Sequence, residues 1–148
     1  MTTIAYRDGA MAADTQETAG AVMNRGPKLV RLPCGGVAGG AGDSVRLQRA
    51  LDWLARPKGA PPKLKDAELL VAFGDGRVGY YSDPQWTFIP VLGAYALGSG
   101  AQAAMAAMNF YGATAEQAVL AAATVDPNTS APVDVYRVEQ KKRGKRKQ

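Results

Sequence analysis

Behind the initiator Met1 the chain reads Thr2-Thr3-Ile4. Removal of Met1, the expected processing before a small residue such as threonine, would leave a hydroxyl and a free α-amine on one residue at the head of an apolar, β-prone run. Together these make a nucleophile and its base. The pairing matters because the chain contains no histidine, the usual general base at neutral pH, whereas a terminal amine titrates near about 7.7–8.0 and can take its place.

The same composition excludes most other hydrolytic chemistry. Without histidine, and with Cys34 as its single thiol, the chain cannot build a Ser-His-Asp triad, a His-based zinc site, a CxxC pair or an internal disulfide. No cofactor or metal is expected. Cys34 lies in the apolar run 32–38 and is expected to be a small buried side chain without a role. A chain of 148 residues, 47% apolar, suits one domain able to bury roughly two thirds of its unfolded surface.

The net charge of +5 comes from the end of the chain. Residues 1–138 hold twelve basic and twelve acidic groups, whereas 139–148 hold six basic and one acidic. A single domain over 1–138 with a basic, disordered tail at 139–148 is therefore expected, and 141–147 is the only stretch suited to weak contact with nucleic acid. Arg7 and Asp8 interrupt the first apolar stretch before it reaches signal-peptide length, which predicts a cytoplasmic protein. From Pro84 to Ala115 no residue is charged. Pro90, Gly93, Gly98, Gly100 and Gly112 divide this span into a strand, a turn and a helix, so no membrane segment is expected.

These groups need a scaffold, and the pattern supplies one. Thr3 to Tyr6 and Ala10 to Ala13 read as a hairpin turning at Asp8-Gly9. Strands are expected at Ala19 to Met23, Lys28 to Leu32 and Gly36 to Ala38, with a turn at Asn24-Arg25-Gly26-Pro27, giving a first sheet of about five strands. Asp43-Ser44 caps an amphipathic helix carrying Val45, Leu47, Ala50, Leu51 and Leu54. The segment from Arg56 to Lys65, with three prolines, reads as an exposed connection. Glu68 to Phe73 and Arg77 to Tyr81 flank Gly74-Asp75-Gly76, and Thr87 to Leu97 adds one or two strands, implying a second sheet. Ala101 to Tyr111 is helical and apolar almost all round, suggesting burial between other elements. Thr114 to Gln117 forms a capping box for a further helix through Ala123, and a last strand runs from Val133 to Val138.

Thr2-Thr3-Ile4, Ala12-Ala13-Asp14, Lys28, the run Gly36-Val37-Ala38-Gly39-Gly40-Ala41-Gly42-Asp43 and Gly98-Ser99-Gly100 stand in an order that resembles proteasome β-type subunits, and in particular HslV-like members of the N-terminal-nucleophile hydrolases. The resemblance runs from Thr2 to about Asp126. It implies an α+β fold, a four-layer αββα sandwich of two antiparallel sheets, with a helical layer shortened where the Pro-rich connection replaces a second helix. It also implies a threonine endopeptidase acting on polypeptide substrates in a homo-oligomeric ring. A separate ATPase unfoldase would serve it, because this chain has no Walker motif.

The roles implied by the resemblance fall on specific positions. Thr2 would be nucleophile and, through its amine, base. Lys28 would depress the pKa of the groups around it, with Asp14 orienting and partly neutralising it. Gly39 would offer its N–H to the oxyanion. Ser99, with Asp126 and Thr129, would hold the terminal amine, and Val37 and Ala41 would border the primary specificity pocket. Each residue also admits a plain structural role: a strand threonine, an ordinary ion pair, turn glycines. The alternative to an enzyme is a catalytically silent assembly or scaffold protein with the same fold.

Overall fold

The computed structural model describes residues 2–19, 22–82 and 85–139. Its elements in chain order are β1 (Thr3–Arg7), β2 (Ala10–Asp14), β3 (Gln16–Ala19), β4 (Val22–Arg25), β5 (Leu29–Arg31), β6 (Val37–Gly42), α1 (Ser44–Ala55), β7 (Ala67–Ala72), β8 (Val78–Ser82), β9 (Gln85–Pro90), β10 (Tyr95–Gly98), α2 (Ala101–Tyr111), α3 (Ala115–Ala123) and β11 (Val133–Arg137). One antiparallel sheet has the order β10-β1-β2-β11, a second has the order β5-β6-β7-β8-β9, and β3-β4 form a separate hairpin. The expected αββα sandwich is present, with α2 and α3 outside the first sheet and α1 outside the second.

Side-chain alternation explains the layering. Along β1 and β2, Ile4, Met11 and Ala13 point between the sheets, where they meet Leu29, Val37, Leu70 and Leu97. Their neighbours Ala5 and Ala12 point the other way, onto Ala104, Met108, Ala118 and Ala122 of α2 and α3. Small residues on both sides of that seam let the helices sit close to the sheet. On the far side, Leu51 and Leu54 of α1 cover Ala38, Leu69 and Val71. Fully burying side chains such as Ile4, Leu69 and Leu70 contributes roughly 1.5–3 kcal/mol apiece.

The first hairpin and the two helix caps match their local signals, whereas the strand partners differ from those expected. The first hairpin turns at Asp8-Gly9, both with positive φ, and pairs Ile4 with Ala13. Asp43 caps α1 by accepting from the Arg46 N–H at 3.0 Å, and the Thr114–Gln117 capping box is complete. The expected first sheet of five N-terminal strands does not form. β1 and β2 are instead completed by β10 and β11 from the other end of the chain, and β5 and β6 join β7 to β9. The expected strand from Ala19 to Met23 is crossed by residues 20–21, which lie outside the described residues; the flanking strands are β3 and β4, so Asn24 and Arg25 belong to a strand and not to a turn.

Two burial expectations also change. Helix α2 is an outer layer that buries Ala104 and Met108, and leaves Phe110 82% and Tyr111 80% exposed. It therefore does not lie between other elements. Cys34 is exposed, because it sits in the turn joining β5 to β6 and not in either strand. The basic run 141–147 lies outside the described residues; Glu139, the first residue of the expected tail, donates its N–H to the Gly35 carbonyl at 2.8 Å. Among the described residues no helix is long and apolar enough to cross a membrane.

Candidate active site

Thr2 enters the first sheet beside the turn after β10. Its carbonyl accepts the Ser99 N–H at 2.8 Å, continuing the β1–β10 ladder in which Thr3 faces Gly98. Gly98 has φ +98°, and a Cβ there would collide with the Thr2 carbonyl. This close approach requires glycine.

The pair expected beneath Thr2 is present. Lys28 Nζ lies 3.0 Å from Asp14 Oδ1, with 8% of the lysine side chain and none of the aspartate side chain exposed. Asp14 ends β2, and its carboxylate also accepts the Thr3 N–H at 2.9 Å and the Gln16 N–H at 3.2 Å. One oxygen, Oδ1, thus ties the opening strand to the ammonium. Burying two charges is costly unless their remaining hydrogen-bonding capacity is met, and here the carboxylate takes three donors.

On the opposite flank, Ser99 Oγ donates to Asp126 Oδ2 at 2.5 Å, and Thr129 Oγ1 donates to the same oxygen at 2.7 Å. Thr129 Oγ1 lies 2.6 Å from Thr3 Oγ1, which also accepts the Gly100 N–H at 3.0 Å. The Asn128 N–H occupies Asp126 Oδ1. Burial pushes the Asp126 carboxyl up, but the hydrogen bonds from Ser99, Thr129 and the Asn128 N–H outweigh it and hold the group below its ordinary value. Asp126 is thereby kept ionised and fixed in place. Thr3 had no role in the sequence reading, yet it links this network to the opening strand; its place next to Thr2 was the only signal.

Thr2, Asp14, Lys28, Ser99, Asp126 and Thr129 thus converge on the start of β1, whereas Gly39 and Val37 do not join them. The register explains why. The Leu32 N–H donates to the Gly36 carbonyl, and bonding pairs recur every second residue along an antiparallel ladder. In β6 the residues at 36, 38 and 40 therefore face β5. The bond from the Asp43 N–H to the Asp66 carbonyl likewise turns 37, 39 and 41 towards β7, so the Gly39 N–H is directed at Leu70. Leu29–Gly39 is the last pair between β5 and β6, so Gly40 lies just beyond the head of β5. Val37 is fully buried between the sheets against Ile4 and Leu29. Ala41 lines a cavity of about 510 Å³ shared with Thr2, Gly42, Glu68 and Ser99.

Among the described residues no group of three His, Cys, Asp or Glu side chains could hold a metal ion. The chemistry on offer is that of a strand-leading threonine beside an ammonium, with hydroxyls and a carboxylate around its backbone.

No protein-family profile and no curated protein matches the chain. Solved structures do. Thiobacillus denitrificans BPH aligns with a TM-score of 0.72 at 18% identity over 95% of this chain and 98% of that one. The same protein in complex with epoxomicin gives 0.69 at 19% over the same shares. The eukaryotic HslV of Trypanosoma brucei gives 0.60 at 22%, covering 90% of this chain and 96% of its own. The full-length overlay and the layer order agree: this chain has the HslV-like fold of proteasome-type N-terminal-nucleophile hydrolases.

Proposed function

We propose that this protein is a threonine-type peptidase whose nucleophile is Thr2, freed by removal of Met1. The observation that carries the reading is the buried Lys28–Asp14 pair, bonded through Asp14 Oδ1 to the N–H of Thr3, the residue next to Thr2. An ammonium held there favours an alkoxide on Thr2 and disfavours a second proton on the neighbouring amine.

Thr2 Oγ attacks the scissile carbonyl while the Thr2 amine takes the hydroxyl proton. The proton passes to the departing amine, the peptide bond breaks, and the acyl group stays on Thr2 as an ester. Water then attacks that ester, giving up its proton through the same amine, and frees the acid and the enzyme. The Gly40 N–H, in place of Gly39, is the oxyanion donor in this scheme; a lost donor of this kind costs about 2.7–4 kcal/mol. Ser99, Asp126 and Thr129 hold the amine in position. On the resemblance stated above, the working form is a homo-oligomeric ring in the cytoplasm fed by a separate ATPase unfoldase.

Epoxomicin, the compound bound to Thiobacillus BPH, serves as the trap. Incubation followed by intact mass and peptide mapping is expected to show loss of Met1 and a single adduct on Thr2. The Thr2→Ala variant is expected to keep its fold and lose both the adduct and all peptide turnover. A chain that keeps Met1 in its assembled form, or an alanine variant with undiminished turnover, overturns the proposal.

A further inference from the structure

Thr2 borders a second cavity, of about 400 Å³, on the Lys28 side of the opening strand. Its walls come from two elements that the sequence reading had not joined: Glu17 and Val22 from the β3–β4 hairpin, and Leu47 and Leu51 from α1. Leu51 is buried and Leu47 half-buried, whereas Val22 is 67% exposed, and Thr18, Asn24, Ser44 and Gln48 add neutral polar groups.

Two lining groups are charged, Lys28 and Glu17. Lys28 is bonded to Asp14, so that pair is neutral taken together. Glu17 forms no ion pair with any described residue. Its carboxylate rests on Gly26, where a Cβ would lie 2.5 Å from Oε1 and 2.7 Å from Cδ. The glycine thus leaves room for the carboxylate, and Glu17, itself exposed, is the acidic group among the described lining residues.

We infer that Glu17 determines specificity, and that the side chain received here, on the residue preceding the scissile bond, is that of lysine or arginine. This rests on the peptidase reading above. A long cationic side chain lays its methylene stem along apolar surface and keeps its charged head among polar groups. Val22, Leu47 and Leu51 suit the stem, and Glu17 suits the head. An acidic side chain would meet repulsion from Glu17, and an aliphatic one would leave that carboxylate without a partner.

The test uses full-length protein and fluorogenic peptides that differ only in the residue before the reporter: arginine, lysine, leucine or glutamate. Arginine and lysine are expected to exceed leucine in kcat/KM by about tenfold or more, the scale of one favourable charge contact in a partly enclosed site. Glu17→Gln is expected to erase most of that advantage, and Glu17→Lys to raise turnover of the glutamate peptide. Equal kcat/KM for arginine and leucine, or a preference unaltered by Glu17→Gln, overturns the inference. In parallel, binding of the arginine and leucine peptides to Thr2→Ala is measured by calorimetry. Should no peptide be cleaved by the unaltered protein, the peptidase reading fails, and this binding arm still decides the pocket: tighter arginine binding that depends on Glu17 supports it, and equal binding refutes it.

Discussion

Asp14 and Asp126 both reach the opening strand, the first from the end of β2 and the second from the turn after α3, but only Asp14 is sealed from water. Asp14 faces an ammonium and two backbone N–H groups. Asp126 faces two hydroxyls and one backbone N–H, and is partly open to solvent. Both carboxylates are satisfied, yet by different means: one by charge neutralisation in a dry interior, the other by neutral donors at a wet edge. The difference separates a group that holds the fold together at the site from one that adjusts its geometry.

The largest effect is therefore expected at the buried pair. Asp14→Asn leaves Lys28 charged and buried with a neutral partner, at a cost of about 3–5 kcal/mol. Chemical denaturation is expected to show a destabilisation of that size, with peptide turnover lost. Lys28→Met, which removes the charge and keeps the stem, is expected to abolish turnover as well. The double variant is expected to be more stable than Asp14→Asn alone, because the unpaired ammonium is gone. Strict additivity in that cycle would break the comparison, since independent sites add and coupled ones do not.

How far the sequence disclosed this arrangement depends on the range of the interaction. One turn and two caps were legible because they are local: Asp8-Gly9, the Asp43 cap and the Thr114–Gln117 box each act within a few residues, whereas the turn expected from Asn24 is a strand end. Strand partners were hidden, since nothing near Thr3 announces that Gly98 lies opposite. The same limit misplaced Gly39. A run such as Gly36 to Asp43 shows that close backbone approach is needed, but which N–H faces the cleft depends on register, and one residue of difference turns it to the other neighbour. Thr2 was legible from the start of the chain itself, whereas Asp14 and Lys28 could be named only through the resemblance, because 14 residues separate the members of the ion pair.

An intermediate effect is expected at the wet edge. Asp126→Asn keeps the shape but weakens the bonds from Ser99 and Thr129, costing about 1–2 kcal/mol of stability, and small shifts in positioning can lower turnover by about a hundredfold. Thr129→Val removes the hydroxyl between Asp126 and Thr3 and is expected to lower kcat more than it alters KM. Thr129→Ser, which restores the hydroxyl, is expected to recover most of the rate. A valine variant with normal kcat would show that the network is structural alone.

The smallest effect is one of pH. Because Asp126 is held below its ordinary value, folding favours its ionised form. Its contribution to stability is present in full above the ordinary carboxylate range and is lost as the pH falls through the lowered value. Denaturation of the parent protein and of Asp126→Asn at a series of pH values is therefore expected to give a constant difference near neutrality that shrinks under acid conditions. Asp14 is present in both proteins and cancels from that difference, so the acid loss isolates the edge carboxylate. A gap that stays constant down to the acid end would mean that the hydroxyl donors around Asp126 do not favour its charge, and the contrast between the two carboxylates would fail on that side.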